Sequence, residues 1–271
     1  MLFDSHTHLE SRRFDGDREA VIERAREAGV TQMVTCGSDL DASRQSVALA
    51  RAHVGTRAVR IHAAVGIHPH EARTVLAGDA EAEPVTLADA PFEELAALAG
   101  DPCVVALGEM GLDYHYDFSP RPAQRAVLAR QLALAAELDL PVILHNRESD
   151  ADFCQVLDDG PADLRGVMHC FLADQALADW ALARGLYLGI AGPITFRNVT
   201  HLDEIVRRMP HERLLIETDC PYLAPQPRRG RRNEPAYVRY VAEHIARLWD
   251  TSLDEVAQQT TANARRLFGL G

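Results

Sequence analysis

Acidic and imidazole side chains recur where short apolar segments of the sequence end. His6 and His8 lie two residues apart in the first such segment, residues 1–8, which predicts a β-strand. Because side chains alternate between the two faces of a strand, both imidazoles should leave the same face. Four further residues of this kind end later apolar segments: Glu109, His145, His169 and Asp219. Four imidazoles and two carboxylates gathered in one place would suit a borderline divalent ion such as Zn²⁺ or Mn²⁺.

Taken singly, each of these residues has an ordinary structural explanation. A histidine at a strand end is commonly a hydrogen-bonded surface residue, and a His-x-His pair alone is a weak signal. Glu109 in Gly-Glu-Met-Gly could cap a turn, and Asp219 before Cys220 and Pro221 is typical of a turn aspartate. Six such residues at the expected ends of strands favour a metal site over these separate explanations.

Strands and helices must alternate along the chain to position these residues. Apolar, β-rich segments predict eight strands, over residues 1–8, 31–37, 61–67, 103–109, 141–145, 166–169, 186–189 and 214–219. Helix-like segments cover residues 18–28, 41–52, 87–98, 121–138, 150–157, 175–184, 199–208, 235–249 and 252–268. The last of these begins near Ser252 and has Glu255 three residues later, which predicts a capping box.

This alternation predicts an α/β fold whose parallel strands are joined by right-handed crossovers. Eight such units in 271 residues favour a closed TIM-type (β/α)8 barrel. We expect a single domain over residues 1–271, with its active site at the C-terminal ends of the strands. An open doubly wound sheet is the alternative. That fold usually carries a glycine-rich phosphate loop after its first strand, where this sequence reads Asp-Ser-His-Thr-His instead.

The overall composition argues against several classes of protein. A net charge of −12 has the wrong sign for a general polyanion binder. No apolar run approaches the ~18–20 residues of a membrane span, and the first residues show no basic-then-apolar export signal. The five cysteines are scattered and form no C-x-x-C pair, which argues against disulfides and thiolate zinc sites. We therefore expect a cytoplasmic protein, and its acidic surface and its size favour a monomer.

All 28 basic residues are arginine, so a bridging ligand made from a carbamylated lysine is excluded. Glu109, with two carboxylate oxygens and a central strand position, is our choice for a ligand that bridges two ions. Asp219 can bind an ion and also accept the proton of the attacking water as a general base. By strand parity, Asp4 and Glu217 should point inward beneath the ligands and orient their imidazoles. An ion pair unrelated to the site is the alternative for both.

The charge of such a site indicates the kind of substrate. Two divalent ions and two carboxylates leave a net charge of about +2, because neutral imidazoles add nothing. This charge favours an anionic substrate such as a phosphate ester. It also favours a hydroxide between the ions as the nucleophile.

Several motifs occur together in this sequence. They are His6-Thr-His8, Gly66-Ile-His68-Pro-His70, Gly108-Glu-Met-Gly-Leu-Asp-Tyr-His115, His145 after Pro141-Val-Ile-Leu, His169-Cys-Phe171, Glu217-Thr-Asp219-Cys-Pro-Tyr-Leu-Ala-Pro225, Arg232-Asn-Glu-Pro235 and Thr261-Ala-Asn263. In combination they resemble the TatD family of metal-dependent deoxyribonucleases, within the amidohydrolase superfamily. The resemblance covers essentially the whole chain.

This resemblance implies a TIM-type barrel and a dinuclear site, with the ligands His6, His8, Glu109, His145, His169 and Asp219. It implies hydrolysis of phosphodiester bonds in DNA, with 3′→5′ exonuclease behaviour in some members, and two zinc, manganese or magnesium ions. His68 would contact the substrate phosphate, although a turn with exposed imidazoles is the alternative. Arg147 and Asn198, on the loops expected after strands five and seven, are further candidates for a phosphate contact. Because the surface is acidic, we expect the substrate to be DNA ends or short oligonucleotides.

Two other functions compete with a deoxyribonuclease. An amidohydrolase or esterase could use the same dinuclear site on a small acyl or lactone substrate, since the same nucleophile attacks carbonyl carbon. A non-catalytic, metal-stabilised binding protein is the third hypothesis. The six intact ligand positions weaken it.

Overall fold

Strands and helices alternate throughout the structure, a computed structural model that describes residues 1–54, 59–81 and 84–271. The strands are β1 Leu2–Thr7, β2 Val30–Cys36, β3 Arg60–Val65, β4 Val104–Asp113, β5 Val142–Arg147, β6 Gly166–Met168, β7 Tyr187–Ile190 and β8 Leu214–Ile216. The α-helices are α1 Arg18–Glu27, α2 Leu40–Ala52, α3 Asp89–Ala99, α4 Arg121–Glu137, α5 Asp150–Asp158, α6 Gln175–Ala183, α7 His201–Arg208, α8 Val238–Leu248 and α9 Leu253–Phe268. None of the described helices is both long enough and apolar enough to cross a membrane.

The strands keep their sequence order in the sheet, from β1 to β8. The pairs β1–β2, β3–β4, β4–β5 and β7–β8 are parallel. Parallel neighbours require a crossover connection, and the helices between the strands provide it. An open doubly wound sheet would instead have its strands out of sequence order. The observed order therefore contradicts that alternative.

The fourth strand is longer than expected. The sequence predicts its end at Glu109, but β4 continues to Asp113, so Glu109 lies inside the strand. Gly111 makes this possible, because it has a φ of 156° and a Cβ there would lie 1.8 Å from the carbonyl oxygen of His145. The strand can thus continue close beside β5 only with glycine at this position. Strand β5 is also longer than expected, and its last residue is Arg147 rather than His145.

The last strand is shorter than expected. The sequence predicts a strand as far as Asp219, but β8 ends at Ile216. Beyond it, the N–H of Thr218 donates to the side chain of Asp4, and Asp219 turns into the left-handed region with a φ of 56°. The residues that follow β8 are therefore positioned by side-chain hydrogen bonds and a turn rather than by the sheet ladder.

The chain divides into two compact units. Unit 1 consists of Met1–Thr35, Leu49–His62 and Met168–Gly271. Unit 2 consists of Cys36–Ala48 and Ala63–Val167. The expectation of a single domain over residues 1–271 stays a prediction.

In unit 1, the C-terminal helix supports the first and last strands. Phe3 of β1 stacks on Phe268 of α9, with 6.1 Å between ring centroids. The buried amide of Asn263 donates to the carbonyl of Leu214 at 2.8 Å. The predicted capping box at Ser252 and Glu255 is present, so the start of α9 is confirmed.

In unit 2, a buried apolar cluster holds the segment that follows β3. Its members are Ile67, Ala72, Val75, Phe92, Ala123 and Val127. The cluster joins this segment to α3 and α4, which contribute the last three of these side chains. Removing such surface from water stabilises the packing by roughly 25 cal/mol per Å². It thereby fixes the position of His68 and His70 between Ile67 and Ala72.

Candidate functional site

Three of the expected ligand atoms converge in unit 1. The Nε2 atoms of His6 and His8 lie 3.2 Å apart. Oδ1 of Asp219 lies 3.8 Å from Nε2 of His6 and 3.4 Å from Nε2 of His8. Atoms that bind one Zn²⁺ ion at about 2.0–2.1 Å can lie at most about 4 Å from each other. These three atoms therefore fit the spacing of three ligands of one divalent ion.

Backbone pairing brings Asp219 to the end of β1. Its N–H donates to the carbonyl of His6 at 3.0 Å, and the N–H of His8 donates to the carbonyl of Cys220 at 2.8 Å. A parallel bridge also joins Thr7 to Cys220. The left-handed conformation of Asp219 is one that aspartate tolerates better than most residues. Backbone hydrogen bonds between residues 6–8 and residues 219–220 thus hold His6, His8 and Asp219 next to one another.

His169 lies beside this group. Its ring stacks on that of His6, with centroids 4.0 Å apart, and its Nδ1 is 3.4 Å from Oε1 of Glu217. The ligand atoms of His6, His169 and Glu217 all lie within 4.8 Å of one another. Two imidazoles and a carboxylate at this spacing are a donor set that suits a divalent ion.

Glu217 is fully buried next to these imidazoles. The backbone N–H of Cys170 donates to its Oε1 at 2.5 Å, and Oγ of Ser5 donates to its Oε2 at 3.3 Å. A Cβ at position 189 would lie 2.5 Å from Oε2, so Gly189 leaves the space that this carboxylate occupies. The position agrees with the expected supporting role of Glu217, which stays a prediction.

Asp4 is also fully buried, but its partners are different from those we expected. Its Oδ2 accepts a hydrogen bond from Oγ1 of Thr218 at 2.6 Å, and its Oδ1 accepts from the N–H of Thr218 at 2.9 Å and of His6 at 3.4 Å. Its effect on His6 would thus pass through the backbone rather than the imidazole. Burial raises the pKa of Asp4 well above its usual range, although the Thr218 hydrogen bonds act in the opposite direction.

Glu10 supports His8 and was not among the residues expected from the sequence. Its Oε1 lies 3.4 Å from Nδ1 of His8, and its Oε2 accepts a hydrogen bond from Oγ1 of Thr35 at 2.6 Å. A carboxylate at Nδ1 orients the imidazole so that Nε2 faces Asp219. Its place two residues after His8 is the signal that could have identified Glu10.

The imidazoles also keep the Asp219 carboxylate charged. Burial acts to raise the pKa of Asp219, but the hydrogen bond with His8 and the other nearby imidazoles lower it below its usual value. A carboxylate that is ionised near neutral pH can serve as a metal ligand and as a proton acceptor.

Glu109 and His145 lie together in unit 2. Oε1 of Glu109 is 2.9 Å from Nδ1 of His145 and 3.4 Å from Nε2 of His68. The ligand atoms of these three residues lie within 4.8 Å of one another. Within this second set, the imidazole of His145 and the carboxylate of Glu109 are donors that suit a divalent ion.

Asp113 orients this second cluster, and it was not expected from the sequence. Its Oδ2 is 3.2 Å from Nε2 of His145 and 2.9 Å from Nε2 of His70. When Nε2 of His145 donates to Asp113, the Nδ1 lone pair faces the Glu109 side, as in imidazoles that bind metals. Asp113 lies four residues after Glu109 in one strand, and that spacing could have identified it.

Hydrogen bonds make Asp113 an anion. Burial acts to raise the pKa of Asp113, but its hydrogen bonds with His145 and His70 lower that pKa far below the usual range. The backbone N–H of Tyr116 contributes in the same direction. An anionic carboxylate is a strong acceptor for the N–H of an imidazole.

His68 is buried, contrary to the alternative of an exposed turn. Its neighbour Ile67 is held through both backbone groups by Gln131, at 2.8 and 2.9 Å. Burial lowers the pKa of His68 to about 4, although Glu109 acts in the opposite direction. Nδ1 of His68 accepts the N–H of His70 at 3.1 Å, so the neutral ring carries its proton on Nε2, the atom that faces Glu109.

The two remaining candidates for substrate contacts lie in different units. Arg147 ends β5 in unit 2 and is exposed, with its guanidinium 4.9 Å from the ring centre of Tyr116. Asn198 is exposed in unit 1, between the 3-10 helix Gly192–Thr195 and α7. Arg147 therefore lies beside Tyr116, whose backbone N–H donates to Asp113 of the second ligand cluster.

Comparison with known proteins identifies the family of this chain. The family model for the TatD related DNase matches residues 3–269. An uncharacterized metal-dependent hydrolase of Bacillus subtilis, YabD, is 40% identical over 269 residues, which is 99% of each chain. A protein of Erwinia amylovora named 3′-5′ ssDNA/RNA exonuclease TatD is 40% identical over 275 residues, covering 99% of this chain and 100% of that one.

Solved structures agree with this assignment. The TatD homologue YjjV of Escherichia coli K12 has a TM-score of 0.85 and 28% identity, and 100% of this chain matches 98% of that one. A TatD family hydrolase of Entamoeba histolytica has a TM-score of 0.87 and 22% identity, with the same coverage. These likenesses confirm the predicted fold class, an α/β fold of the TIM type. The chain belongs to the TatD-related DNase family of metal-dependent hydrolases.

Proposed function

We propose that the chain hydrolyses phosphodiester bonds at the ends of DNA or of short oligonucleotides, with 3′-5′ polarity and with divalent ions. The observation that carries this proposal is the convergence of His6, His8 and Asp219 at 3.2 to 3.8 Å. The exonuclease name of the Erwinia amylovora relative supports the choice of substrate and polarity. Family membership already contradicts the alternative of a non-catalytic binding protein.

Six residues would hold two zinc, manganese or magnesium ions. The expected ligands are the six residues that the sequence predicts: His6, His8, Glu109, His145, His169 and Asp219. Such ions, when bound, lower the pKa of an attacking water and stabilise the negative charge that develops on phosphate. That Glu109 bridges the ions stays a prediction.

The side chains of the site divide the chemical work. Asp219 would accept the proton of the attacking water, because the surrounding imidazoles keep its carboxyl group ionised and so able to act as an acceptor. His68 donates from Nε2 to a phosphate oxygen, because its ring is neutral and its Nδ1 is already an acceptor. Arg147 and Asn198 contribute further contacts with the phosphates. With a net charge of −12, the chain would keep these contacts to the few nucleotides next to the scissile bond.

A digest of end-labelled oligonucleotides tests this proposal. Single-stranded and double-stranded substrates are incubated with Mg²⁺, Mn²⁺, Zn²⁺ or a chelator, and products are resolved by length. We expect metal-dependent release of nucleotides from the 3′ end. The Asp219→Asn and Glu109→Gln variants should each lower kcat/KM by about 10²–10⁴-fold, the usual contribution of a general acid or base.

Asp179→Asn provides the matched control, since Asp179 is exposed in α6. It should keep the parent activity, and circular dichroism should show all variants folded. Full nuclease activity in a folded Asp219→Asn variant would refute the assigned roles. Turnover of amide or lactone compounds but no oligonucleotide would favour the amidohydrolase or esterase instead.

A further inference from the structure

Unit 2 exposes two large aromatic side chains next to its ligand cluster. Among the described residues of this unit, the exposed large hydrophobic side chains are Tyr116 and Phe118, at 47% and 56% accessibility. They follow directly after β4, the strand that carries Glu109. Apolar side chains that are exposed together, unlike scattered ones, commonly mark a binding surface.

The two rings stack on each other and form one exposed aromatic surface, which we call the aromatic face, Tyr116 and Phe118. Their planes differ by 16° and their centroids are 5.2 Å apart. Asp117 between them has a φ of 50°, and this left-handed turn allows both side chains to lie on one side. The guanidinium of Arg147 lies 4.9 Å from the ring centre of Tyr116. Aromatic rings and a cation together are the groups that bind the bases and phosphates of single strands.

The loop that carries this face is well anchored. Oδ1 of Asp113 accepts hydrogen bonds from the N–H groups of His115 and Tyr116, at 3.0 and 2.9 Å. At the other end, Oγ of Ser119 donates to the carbonyl of His70 at 2.7 Å. Because both ends of the loop are fixed, a ligand could bind without ordering the loop first.

A single histidine connects the aromatic face with the ligand cluster. The ring of His70 packs edge-on against Tyr116 at 5.6 Å and against Phe118 at 4.8 Å. Its Nε2 lies 2.9 Å from Asp113, whose same oxygen orients His145. The face is therefore separated from a candidate metal ligand by one imidazole and one carboxylate.

The size of this face indicates its ligand. A stable protein partner would cover about 800 Å² on each side, far more than two side chains present. One or two stacked bases match the area of two rings, and the nearby Arg147 complements the phosphate that links them.

We propose that Tyr116 and Phe118, with Arg147, bind a nucleobase of a single-stranded substrate by stacking and so orient the strand for hydrolysis. This inference rests on the proposed nuclease function. Stacking is indifferent to base identity, because every base has a flat face. The aromatic face would therefore favour unpaired ends without selecting a sequence.

Matched substrates test this proposal. One is a single-stranded oligonucleotide, and the other has the same length but abasic residues at its last three positions. The KM of the parent chain should be roughly 5- to 150-fold lower for the oligonucleotide with bases than for the abasic one. This ratio corresponds to the free energy of stacking one base on an aromatic side chain. Phe118→Leu and Tyr116→Leu, which keep an apolar side chain but remove the flat ring, should lose this preference. Both variants should act on the abasic oligonucleotide like the parent chain.

Variants that keep a ring are the controls. Phe118→Tyr and Tyr116→Phe should retain the parent preference within about twofold. Val54→Ala removes an exposed apolar side chain outside the aromatic face and should retain the preference as well. Thermal melting should be unchanged, since both rings are half exposed. A parent chain that cuts both substrates with equal KM would overturn the stacking proposal while leaving the nuclease proposal intact.

A second measurement does not depend on hydrolysis. An oligonucleotide with a terminal 2-aminopurine is titrated with the protein in chelator, and quenching of its fluorescence reports stacking. The parent chain and Phe118→Tyr should quench it, whereas Phe118→Leu should not. Equal quenching by all three proteins would refute the aromatic face as the binding site. Quenching without any metal-dependent cleavage would instead refute the nuclease function alone.

Discussion

The ligand clusters of the two units share one structural device. In unit 1 the buried amide of Asn233 donates to two backbone carbonyls, at 2.8 and 2.6 Å, and accepts a backbone N–H at 3.0 Å. In unit 2 the buried amide of Gln124 donates to two carbonyls, at 3.1 and 2.8 Å, and accepts an N–H at 2.8 Å. Each amide therefore satisfies three polar backbone groups of the irregular segment that lies beyond its ligands.

The clusters differ in how they hold a buried carboxylate. In unit 1, Asp4 is bound by Thr218 and by backbone N–H groups, and burial raises its pKa. In unit 2, Asp113 is bound by two imidazoles, and they lower its pKa. Asp4 thus serves the architecture of the chain, and burial raises its pKa. Asp113 serves the orientation of histidines as an anion.

Removing the amides should have the largest effect and should affect both units alike. Gln124→Met and Asn233→Leu keep a side chain of similar size but remove the amide that binds three backbone groups, all buried for Gln124 and two of them buried for Asn233. Each such group costs about 1–3 kcal/mol, so each variant should lose about 3 kcal/mol or more of its free energy of unfolding. Urea unfolding, followed by circular dichroism, measures the loss.

Gln258→Met and Asn198→Leu are matched controls for stability, because both side chains are exposed, Gln258 in α9 and Asn198 before α7. They should change the free energy of unfolding by less than about 0.5 kcal/mol. A loss confined to one of the two buried amides would show that the units do not share this device after all.

Replacing the carboxylates should separate the two units. Asp113→Asn puts an NH2 group where two imidazoles donate, so we expect a loss of about 2 kcal/mol in stability and roughly 10–100-fold in kcat/KM. Asp4→Asn is close in shape to a neutral aspartic acid, and its NH2 group can donate to Oγ1 of Thr218. It should change stability by less than about 1 kcal/mol. Equal losses in the two variants would contradict the distinction between a carboxyl group with a lowered pKa and one with a raised pKa.

Much of this arrangement could be predicted from the sequence, because the spacing of apolar residues indicates the strands and helices, and the types of the residues at strand ends indicate the ligands. Alternating apolar segments indicated the element order and the fold class, and the strand ends placed His6, His8 and Glu109 near the right positions. The exact strand ends could not be predicted, since the continuation of β4 depends on Gly111 lying against the backbone of β5. That close approach is a tertiary contact with no local signature.

Supporting residues were harder to predict than ligands. Asp113 stands at even spacing from Glu109 in one strand, so strand parity contained its signal, whereas Glu10 lies in the turn after β1. Their partners, however, come from other segments, as the bond between Glu10 and Thr35 shows. The aromatic face was unpredictable for the same reason, because exposure of Tyr116 and Phe118 follows from a turn at Asp117 that a sequence does not display.

The smallest expected effect is on how the free energy of unfolding changes with pH. The contributions of Asp113 and Asp4 should change with pH in opposite directions. In the metal-free protein, Asp113 has a lowered pKa, so its contribution to stability is present above its unfolded pKa of about 3.9 and is lost as pH falls below it. Asp4 has a raised pKa, so its contribution is complete below about pH 3.9 and is lost as pH rises through its folded value. The parent chain should therefore lose its advantage over Asp113→Asn in acid, and over Asp4→Asn as the pH increases.

Urea unfolding of the parent chain and both variants in chelator, from about pH 3 to about pH 9, measures these two differences. Subtracting each variant from the parent chain removes the contribution of all other titrating groups that the substitution leaves unchanged. Opposite slopes are expected because a proton bound more tightly by the native state stabilises it at low pH, and a proton bound less tightly destabilises it there. Two slopes of the same sign would show that the pKa of Asp4 is lowered as well, and that the two carboxyl groups are held in the same way.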